Sequence, residues 1–479
     1  MNKMKLYNTL TKNIDELKPI APPKLGFYAC GFTVYDYAHI GHLRRYTMDD
    51  ILIRTLRHAK FKVNFVQNVT DVGHLASDAD TGEDKMEKGA KKHDTTVWDL
   101  AKKFENYFFY SMDKMGNLRP DISCRATEHI SEQIELVKCL ETKGYTYVIK
   151  NDGVYFDTSK LDDYGELARL DTKNLKEGAR VEKVEGKRNI TDFALWKFER
   201  KGENRAMVWS SPWAERGFPG WHIECSAMAM KYLGEQFEIH TGGKDHITIH
   251  HPNEIAQSQA ATGKKPFVKY WVHHNFIKVN GEKMSKSLEN FFTIDDVIKR
   301  GFHPLALRLL FLTAHYRKEM NFTWENLSGA QKSYQRLADL ILDYQQDESG
   351  VADEDRASKY SHRFFELMER DLKTPEALAV VWEVTKSELS KATKLKLLLE
   401  FDQVLGLGLD RAEGISKELK KSEVAIEDLS KKEQELLKQR KKARDAKDWD
   451  KSDQLRDALK SLAIVVKDTS QGQKISKLQ

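Results

Sequence analysis

The sequence has few of the features that mark secreted, membrane-spanning or disulfide-stabilised proteins. Four cysteines, Cys30, Cys124, Cys139 and Cys225, are scattered over 479 residues, so a disulfide framework is not expected and a reducing compartment fits better. No apolar run reaches the ~20 residues of a membrane helix, and no hydrophobic stretch follows the N-terminal lysines. We therefore expect a cytoplasmic protein with no membrane partner.

An excess of charge of one sign is also lacking. The net charge is only +5, while charged residues make up 32% and hydrophobic residues 40% of the chain, as in ordinary soluble globular proteins. This balance permits a nucleic-acid partner but does not indicate one, because a strong electrostatic footprint is usually more basic. The function must therefore be sought in local motifs.

The apolar pattern predicts an α/β fold followed by helices. Leu25 to Cys30 is typical of a strand, helical spacing begins near His42, and Val63 to Val66 predicts the next strand. This order indicates a βαβ unit in a doubly wound, Rossmann-like parallel sheet. After Pro304, amphipathic stretches predict a helical bundle, and a small mixed α/β module ends the chain.

These patterns divide the chain into five segments. Residues 1–110 and 201–303 are expected to form the two halves of the α/β domain, and residues 111–200 an insertion that interrupts its sheet. The helical bundle is expected over residues 304–410 and the last module over residues 411–479.

Two polar stretches are expected to lack regular structure, and one polar motif predicts a helix start. Residues 77–94 are typical of an exposed loop, and residues 413–427 of a linker. Ser430 to Glu433 forms a capping-box pattern before a lysine- and arginine-rich helix.

His39-Ile40-Gly41-His42 lies between the first strand of the βαβ unit and its helix. In an open α/β sheet this is the crevice where nucleotides bind, and a helix N-terminus there attracts phosphates. Both histidines could donate hydrogen bonds to phosphate oxygens, and Gly41 would let a base or ribose approach the backbone. Two surface histidines that lie together by chance are the alternative.

Lys283-Met284-Ser285-Lys286-Ser287 is a short basic loop. Two ammonium groups could stabilise a leaving pyrophosphate, although solvated lysine loops are common. Together and in this order, the two motifs resemble the class I aminoacyl-tRNA synthetases. The resemblance implies that His39, His42, Lys283 and Lys286 stabilise the phosphate transition state while an amino acid is adenylated by ATP, which is expected to carry Mg²⁺.

Cys30, Cys225, His250 and Glu254 make a plausible zinc-ligand set. The last two are four residues apart, so on a helix they face the same way. The sequence distances are too irregular for a zinc finger, so a fold must bring the four residues together. Each cysteine taken alone is more often a small core residue.

Longer segments around these residues resemble the cysteinyl-tRNA synthetase family: Cys30 shortly before Thr33-Val34-Tyr35-Asp36, Gly220 to Ser226, and His250 with Glu254. The resemblance implies that the four residues bind one zinc ion per subunit, which takes the substrate thiolate as a further ligand. An apolar pocket separates close analogues by only about 10–200-fold, whereas zinc strongly prefers a thiolate to a hydroxyl.

Further residues are implied by the resemblance. Thr33 and Trp221 would line the cysteine pocket, and the ATP and adenylate contacts would be Gly41, His240, Gly242, Gly243, Asp245 and Lys286. The chain departs from the family pattern at Ile249 and Pro252, and also at Thr241 and Glu289, where the family usually has glycine.

The C-terminal module also resembles that family. The resemblance implies that Arg444, Trp449, Asp453 and Asp468 read the anticodon, by phosphate or base contacts, stacking and acceptance from amino groups. A solvated lysine-rich helix is the alternative. The implied partners are tRNA(Cys), cysteine and ATP, and we expect a monomer.

Two other functions remain open at this point. A cysteine ligase of mycothiol synthesis resembles the same core but generally lacks the anticodon-reading end. A non-enzymatic zinc protein that binds RNA is the second alternative, and the intact His39, His42, Lys283 and Lys286 speak against it.

Overall fold

The computed structural model describes residues 4–73, 84–170, 185–285, 288–346, 354–420, 426–462, 464–469 and 472–477. The strands in these ranges are β1 (Lys5–Asn8), β2 (Asn13–Glu16), β3 (Lys24–Thr33), β4 (Lys62–Thr70), β5 (Ile122–Arg125), β6 (Thr146–Ile149), β7 (Gly153–Phe156), β8 (Phe193–Phe198), β9 (Gly217–Pro219), β10 (Phe237–Gly243), β11 (Val268–His274), β12 (Ile277–Val279), β13 (Glu282–Lys283), β14 (Met320–Phe322), β15 (Ile464–Thr469) and β16 (Gly472–Lys477).

The α-helices in the same ranges are α1 (Ile40–His58), α2 (Lys85–His93), α3 (Val97–Lys114), α4 (Ile130–Thr142), α5 (Trp221–Leu233), α6 (His250–Thr262), α7 (Ile294–Lys299), α8 (Pro304–Leu312), α9 (Trp324–Gln345), α10 (Glu354–Glu369), α11 (Thr374–Lys386), α12 (Lys391–Leu405), α13 (Ala412–Lys420), α14 (Lys431–Asp445) and α15 (Trp449–Ser461). Among the described residues, none of these helices is long and apolar enough to cross a bilayer.

A five-stranded parallel sheet in the order β11-β10-β3-β4-β5 forms the centre of the fold. Strands β3 and β4 are joined through α1, which confirms the predicted βαβ unit. On its other side β3 pairs with β10, from much later in the chain. The strand order therefore reverses at β3, and such a switch point opens a crevice at the carboxyl ends of the strands.

Strand β5 corrects the predicted insertion. Residues 122–125 were expected to lie within it, yet they pair in parallel with β4 and complete the central sheet. The four residues alternate in burial, with only Cys124 fully enclosed, so they lack the apolar run that marked the other strands. The inserted antiparallel sheet comprises β6 to β9, and its last strand lies beyond residue 200.

The two stretches expected to lack regular structure contain helices. Residues 74–83 lie outside the described residues, but α2 follows at once, and the Asp84 side chain caps it by accepting from the amides of Met86 and Glu87. Helix α13 covers the start of the expected linker and buries Ile415 and Leu419. Both helices are largely polar, so their narrow apolar faces were not recognised in the sequence.

The helical bundle is attached to the α/β domain through Arg308. This fully buried α8 residue forms an ion pair with Asp50 of α1 and donates to the carbonyl of Leu405, at the end of α12. Helix α1 is thereby fixed between the sheet and the bundle.

The C-terminal module packs α14 and α15 against the antiparallel hairpin β15-β16. The capping box predicted at Ser430 and Glu433 is confirmed, because each side chain accepts from the backbone N–H of the other residue. Strand β16 was not predicted, since its sequence Gly-Gln-Lys-Ile-Ser-Lys is polar.

Candidate active site

His39 and His42 lie at the N-terminus of α1, inside the crevice. The His39 ring accepts from the Gly41 N–H (3.1 Å) and the His42 Nδ1 accepts from the His39 N–H (3.2 Å). Because both Nδ1 atoms accept, each ring carries its proton on Nε2 when neutral. Burial, followed by the nearby charges of His39 and Arg45, holds the pKa of His42 well below its usual range. His42 can therefore donate as a neutral imidazole.

Gly41 allows the close approach of this segment to β12. A Cβ atom there would lie 2.9 Å from the His39 ring and 3.2 Å from Ile277 of β12. The Ile40 N–H donates to the carbonyl of Phe292 (2.9 Å), and the His39 ring meets the edge of Phe291 (centroids 4.9 Å apart). The segment after the lysine loop thus pairs with the histidine signature.

The lysine loop itself is closed by Asn290. Its side chain accepts from the Ser285 N–H (2.7 Å) and donates to the carbonyl of Lys283 (3.2 Å). Lys283 ends β13 and is exposed; Lys286 lies outside the described residues. Glu289 adopts a φ of 52°, in the left-handed region. The family pattern has glycine at this position, which carries no Cβ penalty there.

Cys30, Cys225 and His250 come together although they lie on β3, α5 and α6. The two Sγ atoms and one ring nitrogen of His250 all lie within 4.8 Å of one another, and all three side chains are buried. Both cysteines are free. Two sulfurs and an imidazole are a donor set typical of zinc, so the residues fit the metal that the sequence predicted.

Glu254 contacts this group through His250 and extends it into a cluster of imidazoles. Its Oε1 is 2.9 Å from His250 Nε2, and its Oε2 is 3.0 Å from His240 Nε2. Glu254, His240 and His251 form a second group whose ligand atoms lie within 4.8 Å of one another. His251 Nε2 is 3.8 Å from Glu254 Oε1, and His251 Nδ1 lies 2.7 Å from His273, so His240, His251 and His273 form a buried set of imidazoles beside the group of Cys30, Cys225 and His250.

Charge is unevenly shared among Cys30, Cys225 and His250, the three residues that form the metal group. The Cys225 thiol donates toward Cys30 and holds the pKa of Cys30 well below its usual range, while that contact and burial raise the pKa of Cys225. Burial alone would lower the pKa of His250, but Glu254 and Cys30 outweigh it and raise that pKa to about 10. A divalent cation bound here could take the place of the His250 proton between Cys30 and Glu254.

The other implied contacts lie around the same crevice. The Trp221 ring, at the start of α5, lies 4.5 Å from the His250 ring, and half-buried Thr33 ends β3. Gly242 and Gly243 end β10, and Asp245 follows in an exposed turn.

His240 differs from the rest of the implied adenylate contacts. It is fully buried, with one ring nitrogen on Glu254 and its ring stacked on Trp271 (4.7 Å). Its contacts thus place it beneath the site, where it supports Glu254.

Three of the four implied anticodon residues lie together in the C-terminal module. Arg444 lies over the ring of Trp449 (5.4 Å) and 3.2 Å from Asp468, and the Trp449 side chain is 55% exposed. Asp453 pairs instead with Arg456 (3.2 Å).

Asp468 is already engaged within the module. Both of its carboxylate oxygens accept from buried Arg440, at 3.0 and 2.8 Å. It therefore has less capacity to accept from a base than the sequence suggested.

Two positions next to the metal group were missed in the sequence. Asn68 of β4 accepts from the Gly31 N–H (2.6 Å) and lies 3.9 Å from Cys225 Sγ, and the Nδ1 of His222 lies 2.9 Å from that of His250. Both contact this group from outside it, in the way that outer residues around metal sites commonly do. His222 within the Gly220 to Ser226 segment was the one available signal.

Solved structures establish the fold by themselves. A Mycobacterium tuberculosis methionyl-tRNA synthetase in complex with methionyl-adenylate matches with a TM-score of 0.56 at 14% identity, over 84% of this chain and 94% of that chain. An Agrobacterium radiobacter LeuRS–tRNA–LeuAMS ternary complex matches with a TM-score of 0.58 at 12% identity, over 84% and 86%. At such identities the likeness concerns architecture, and it confirms the Rossmann-like core.

Sequence comparisons extend over nearly the whole chain. The family described as tRNA synthetases class I (C) catalytic domain matches residues 16–332, and the cysteinyl-tRNA ligase anticodon binding domain matches residues 426–475. "Cysteine–tRNA ligase 1" of Burkholderia lata is 46% identical, covering 98% of this chain and 96% of its own length. "Cysteine–tRNA ligase" of Treponema denticola is 42% identical, covering 97% and 98%. The crevice with its paired signatures, the buried thiol–imidazole group and these matches agree, and the chain belongs to the cysteine–tRNA ligase family of class I aminoacyl-tRNA synthetases.

Proposed function

We propose that this enzyme joins cysteine to tRNA(Cys) in two ATP-dependent steps and that zinc selects the cysteine. The observation that carries the proposal is the convergence of Cys30, Cys225 and His250 at the carboxyl end of β3, beside the N-terminus of α1. One pocket at that position can hold a sulfur ligand and a nucleotide together.

The amino acid would be recognised through its sulfur. Cys30, Cys225 and His250, with Glu254 against the ring nitrogen of His250 that faces Cys30, would hold the zinc ion, which when bound supplies a soft Lewis acid that prefers a thiolate to a hydroxyl. Serine, the nearest analogue, would thus be rejected without a second, editing site. Trp221 closes the pocket above His250.

The first step would form cysteinyl-adenylate. A carboxylate oxygen of cysteine attacks the α-phosphorus of ATP, and the bond from that phosphorus to the pyrophosphate oxygen breaks. The Nε2–H groups of His39 and His42 donate to phosphate oxygens as charge develops, and Lys283 with Lys286 stabilises the leaving pyrophosphate. ATP would enter with Mg²⁺ on its phosphates.

The second step would transfer cysteine to tRNA. A hydroxyl of the terminal adenosine attacks the activated carbonyl, and AMP leaves. At the far end of the substrate, Trp449 and Arg444 offer a stacking face and a cation for an unpaired anticodon base. The intact C-terminal module favours tRNA over an amino sugar as the acceptor.

The metal assignment is tested with Cys225→Ser, and Cys139→Ser is the matched control because Cys139 lies outside the metal group. The wild type and the control should hold one zinc per chain and exchange pyrophosphate into ATP when cysteine is present. Cys225→Ser should lose metal. Its preference for cysteine over serine should fall to about 200-fold or less, which is the discrimination that an apolar pocket can supply. A Cys225→Ser enzyme with normal zinc content and normal preference would refute the metal assignment.

The acceptor is tested separately, with purified protein, cysteine, ATP and either tRNA or an amino sugar as the acceptor. Cysteinyl-tRNA is the expected product. Formation of a cysteinyl amino sugar instead would favour the mycothiol-type ligase, and no pyrophosphate exchange with any acceptor would indicate a binding protein.

A further inference from the structure

Strands β3 and β10 separate just where their functional residues begin. Their parallel pairing runs from Phe27 with Ile239 to Ala29 with Thr241 and stops there. Cys30, the next residue of β3, enters the metal group, and Thr241 leads into the Gly242-Gly243 segment. Beyond this point the two strands no longer pair with each other, and the carbonyls of Cys30 and Thr241 are contacted by side chains instead.

The guanidinium of Arg45 fills this gap. Its Nη1 donates to the carbonyl of Cys30, and its Nη2 donates to the carbonyl of Thr241 (3.1 Å). Arg45 lies in the first turns of α1, three residues after His42. A planar fork with several donors is the side chain that can bridge two carbonyls in a fixed geometry, which a single ammonium group cannot do.

Arg45 is itself held firmly. Its side chain is 11% exposed and lies 3.6 Å from Asp49 on the next turn of α1. The guanidinium packs over the ring of Tyr46 (4.3 Å), whose hydroxyl also donates to the carbonyl of Cys30 (3.3 Å). The bridge is therefore a property of α1, the helix that carries the histidine signature.

The opposite side of Cys30 is fixed as well. The Gly31 N–H donates to Asn68 Oδ1 (2.6 Å), and a Cβ on Gly31 would lie 1.6 Å from the Asn68 carbonyl oxygen. The peptide at Cys30 is thus held between Asn68 on β4 and Arg45 on α1. Arg45 links this peptide to β10, because its guanidinium contacts the carbonyls of both Cys30 and Thr241, whereas Tyr46 contacts the first and the His240 ring (3.2 Å) the second.

We propose that Arg45 is a positioning residue that sets the metal-bearing end of β3 against the nucleotide-binding end of β10. It would fix the distance between the carboxylate of metal-bound cysteine and the α-phosphorus of ATP, without touching either substrate. The inference rests on the proposed function. Arg45 contacts the backbone carbonyl of Thr241, so this role does not depend on the side chain at that position.

A positioning role predicts a specific kinetic pattern. Each half of the site keeps its own ligands when Arg45 is replaced, so both substrates still bind, but their relative placement is lost. Misplacement of reacting groups by about 1 Å costs on the order of 100-fold in rate. We therefore expect a large fall in kcat with little change in either KM.

The experiment measures cysteine-dependent pyrophosphate exchange for Arg45→Met and Arg45→Lys. The matched control is Arg57→Met, which removes an arginine from the same helix whose ion pair with Asp121 is partly exposed. Both Arg45 variants should lose about 100-fold in kcat, with both KM values within about threefold of the wild type and with one zinc per chain. Arg57→Met should behave as the wild type.

Several results would overturn the inference. A kcat within tenfold of the wild type in Arg45→Met, a rise in KM that accounts for the loss, or a loss of zinc would each do so. Wild-type activity in Arg45→Lys would also overturn it, because a positive charge alone would then suffice. If Arg45→Met does not fold, Arg45→Lys is judged by the same criteria. If the wild type and Arg57→Met fail to exchange pyrophosphate, the proposed function fails instead.

Discussion

Replacement of Arg308 by methionine tests how firmly the signature helix α1 is attached to the helical bundle. The Arg308 side chain is fully buried and forms a close ion pair with Asp50. It also donates to Asn117 Oδ1 (2.8 Å) and to the carbonyl oxygens of Leu405 (2.7 Å) and Met115 (3.2 Å). Methionine fills much of the volume but satisfies none of these four acceptors.

The magnitude follows from what remains after the change. Breaking a buried ion pair by removal of one partner costs about 3–5 kcal/mol, because the other charge stays buried. Asp50 would still contact Arg54 (2.8 Å) and the Leu118 N–H (2.8 Å), which places the expected loss at about 3 kcal/mol, near the lower limit of that range. Against a total stability of about 5–15 kcal/mol, such a loss is large.

Urea denaturation followed by circular dichroism measures the change in the free energy of unfolding. The control is Arg119→Met, whose ion pair with Asp113 is half-exposed (49% and 53%) and should contribute less than about 1 kcal/mol. If Arg308→Met lost no more stability than this control, the buried network would not hold α1 to the bundle, and the reasoning would be wrong.

Three further predictions concern the lysine loop, the histidine signature and the C-terminal module. Glu289→Gly should raise the free energy of unfolding by up to about 1 kcal/mol, measured by thermal denaturation, because glycine adopts the φ of 52° without a Cβ penalty. Stability should fall as the pH drops below about 6.5, because His42 stays neutral in the fold while the unfolded chain binds the proton; this group alone accounts for roughly 1.4 kcal/mol per pH unit while it remains neutral. Trp449→Ala should weaken tRNA binding, measured by fluorescence anisotropy, by about 1–3 kcal/mol through loss of one stacked base.

Each of these predictions has a matched comparison. Glu289→Ala retains the Cβ atom, so it should show no stabilisation, and equal gains in both variants would argue against backbone strain. His42→Gln cannot titrate, so its stability should depend less on pH between 6.5 and 5.5. Ile426→Ala removes another exposed apolar side chain of the module and should leave the tRNA affinity unchanged.

The elements that could be predicted from the sequence are the buried strands, because their sequences are continuous apolar runs. Strands β3 and β4 are largely buried and were recognised for that reason. Strands β5 and β16 are short or polar, and their pairing partners are brought to them only by tertiary structure. Helices α2 and α13 were missed because their apolar faces are narrow.

The site follows the same division. Residues that carry unusual chemistry, such as Cys30 and Cys225, could be selected by side-chain type and by resemblance. Arg45 and Asn68 could not be selected in this way, because their partners are backbone groups. Arg45 contacts carbonyls of β3 and β10, and Asn68 contacts an N–H of β3, and these groups come within reach only when the sheet has formed. Helix α14 could be predicted only in part. Its N-terminal cap was visible in the sequence, but the ion pair between its Arg440 and Asp468 of β15 was not.

The strand order of the central sheet has a consequence for synthesis on the ribosome. Strand β3 emerges early, but its neighbour β10 is made only after α2 to α5 and the whole inserted sheet, and β11 follows later still. At roughly 5–20 residues per second this delay is on the order of tens of seconds, during which one edge of β3 stays open. A nascent chain halted before residue 237 would present that apolar edge to other proteins, so premature termination in this stretch should yield aggregates rather than a folded fragment.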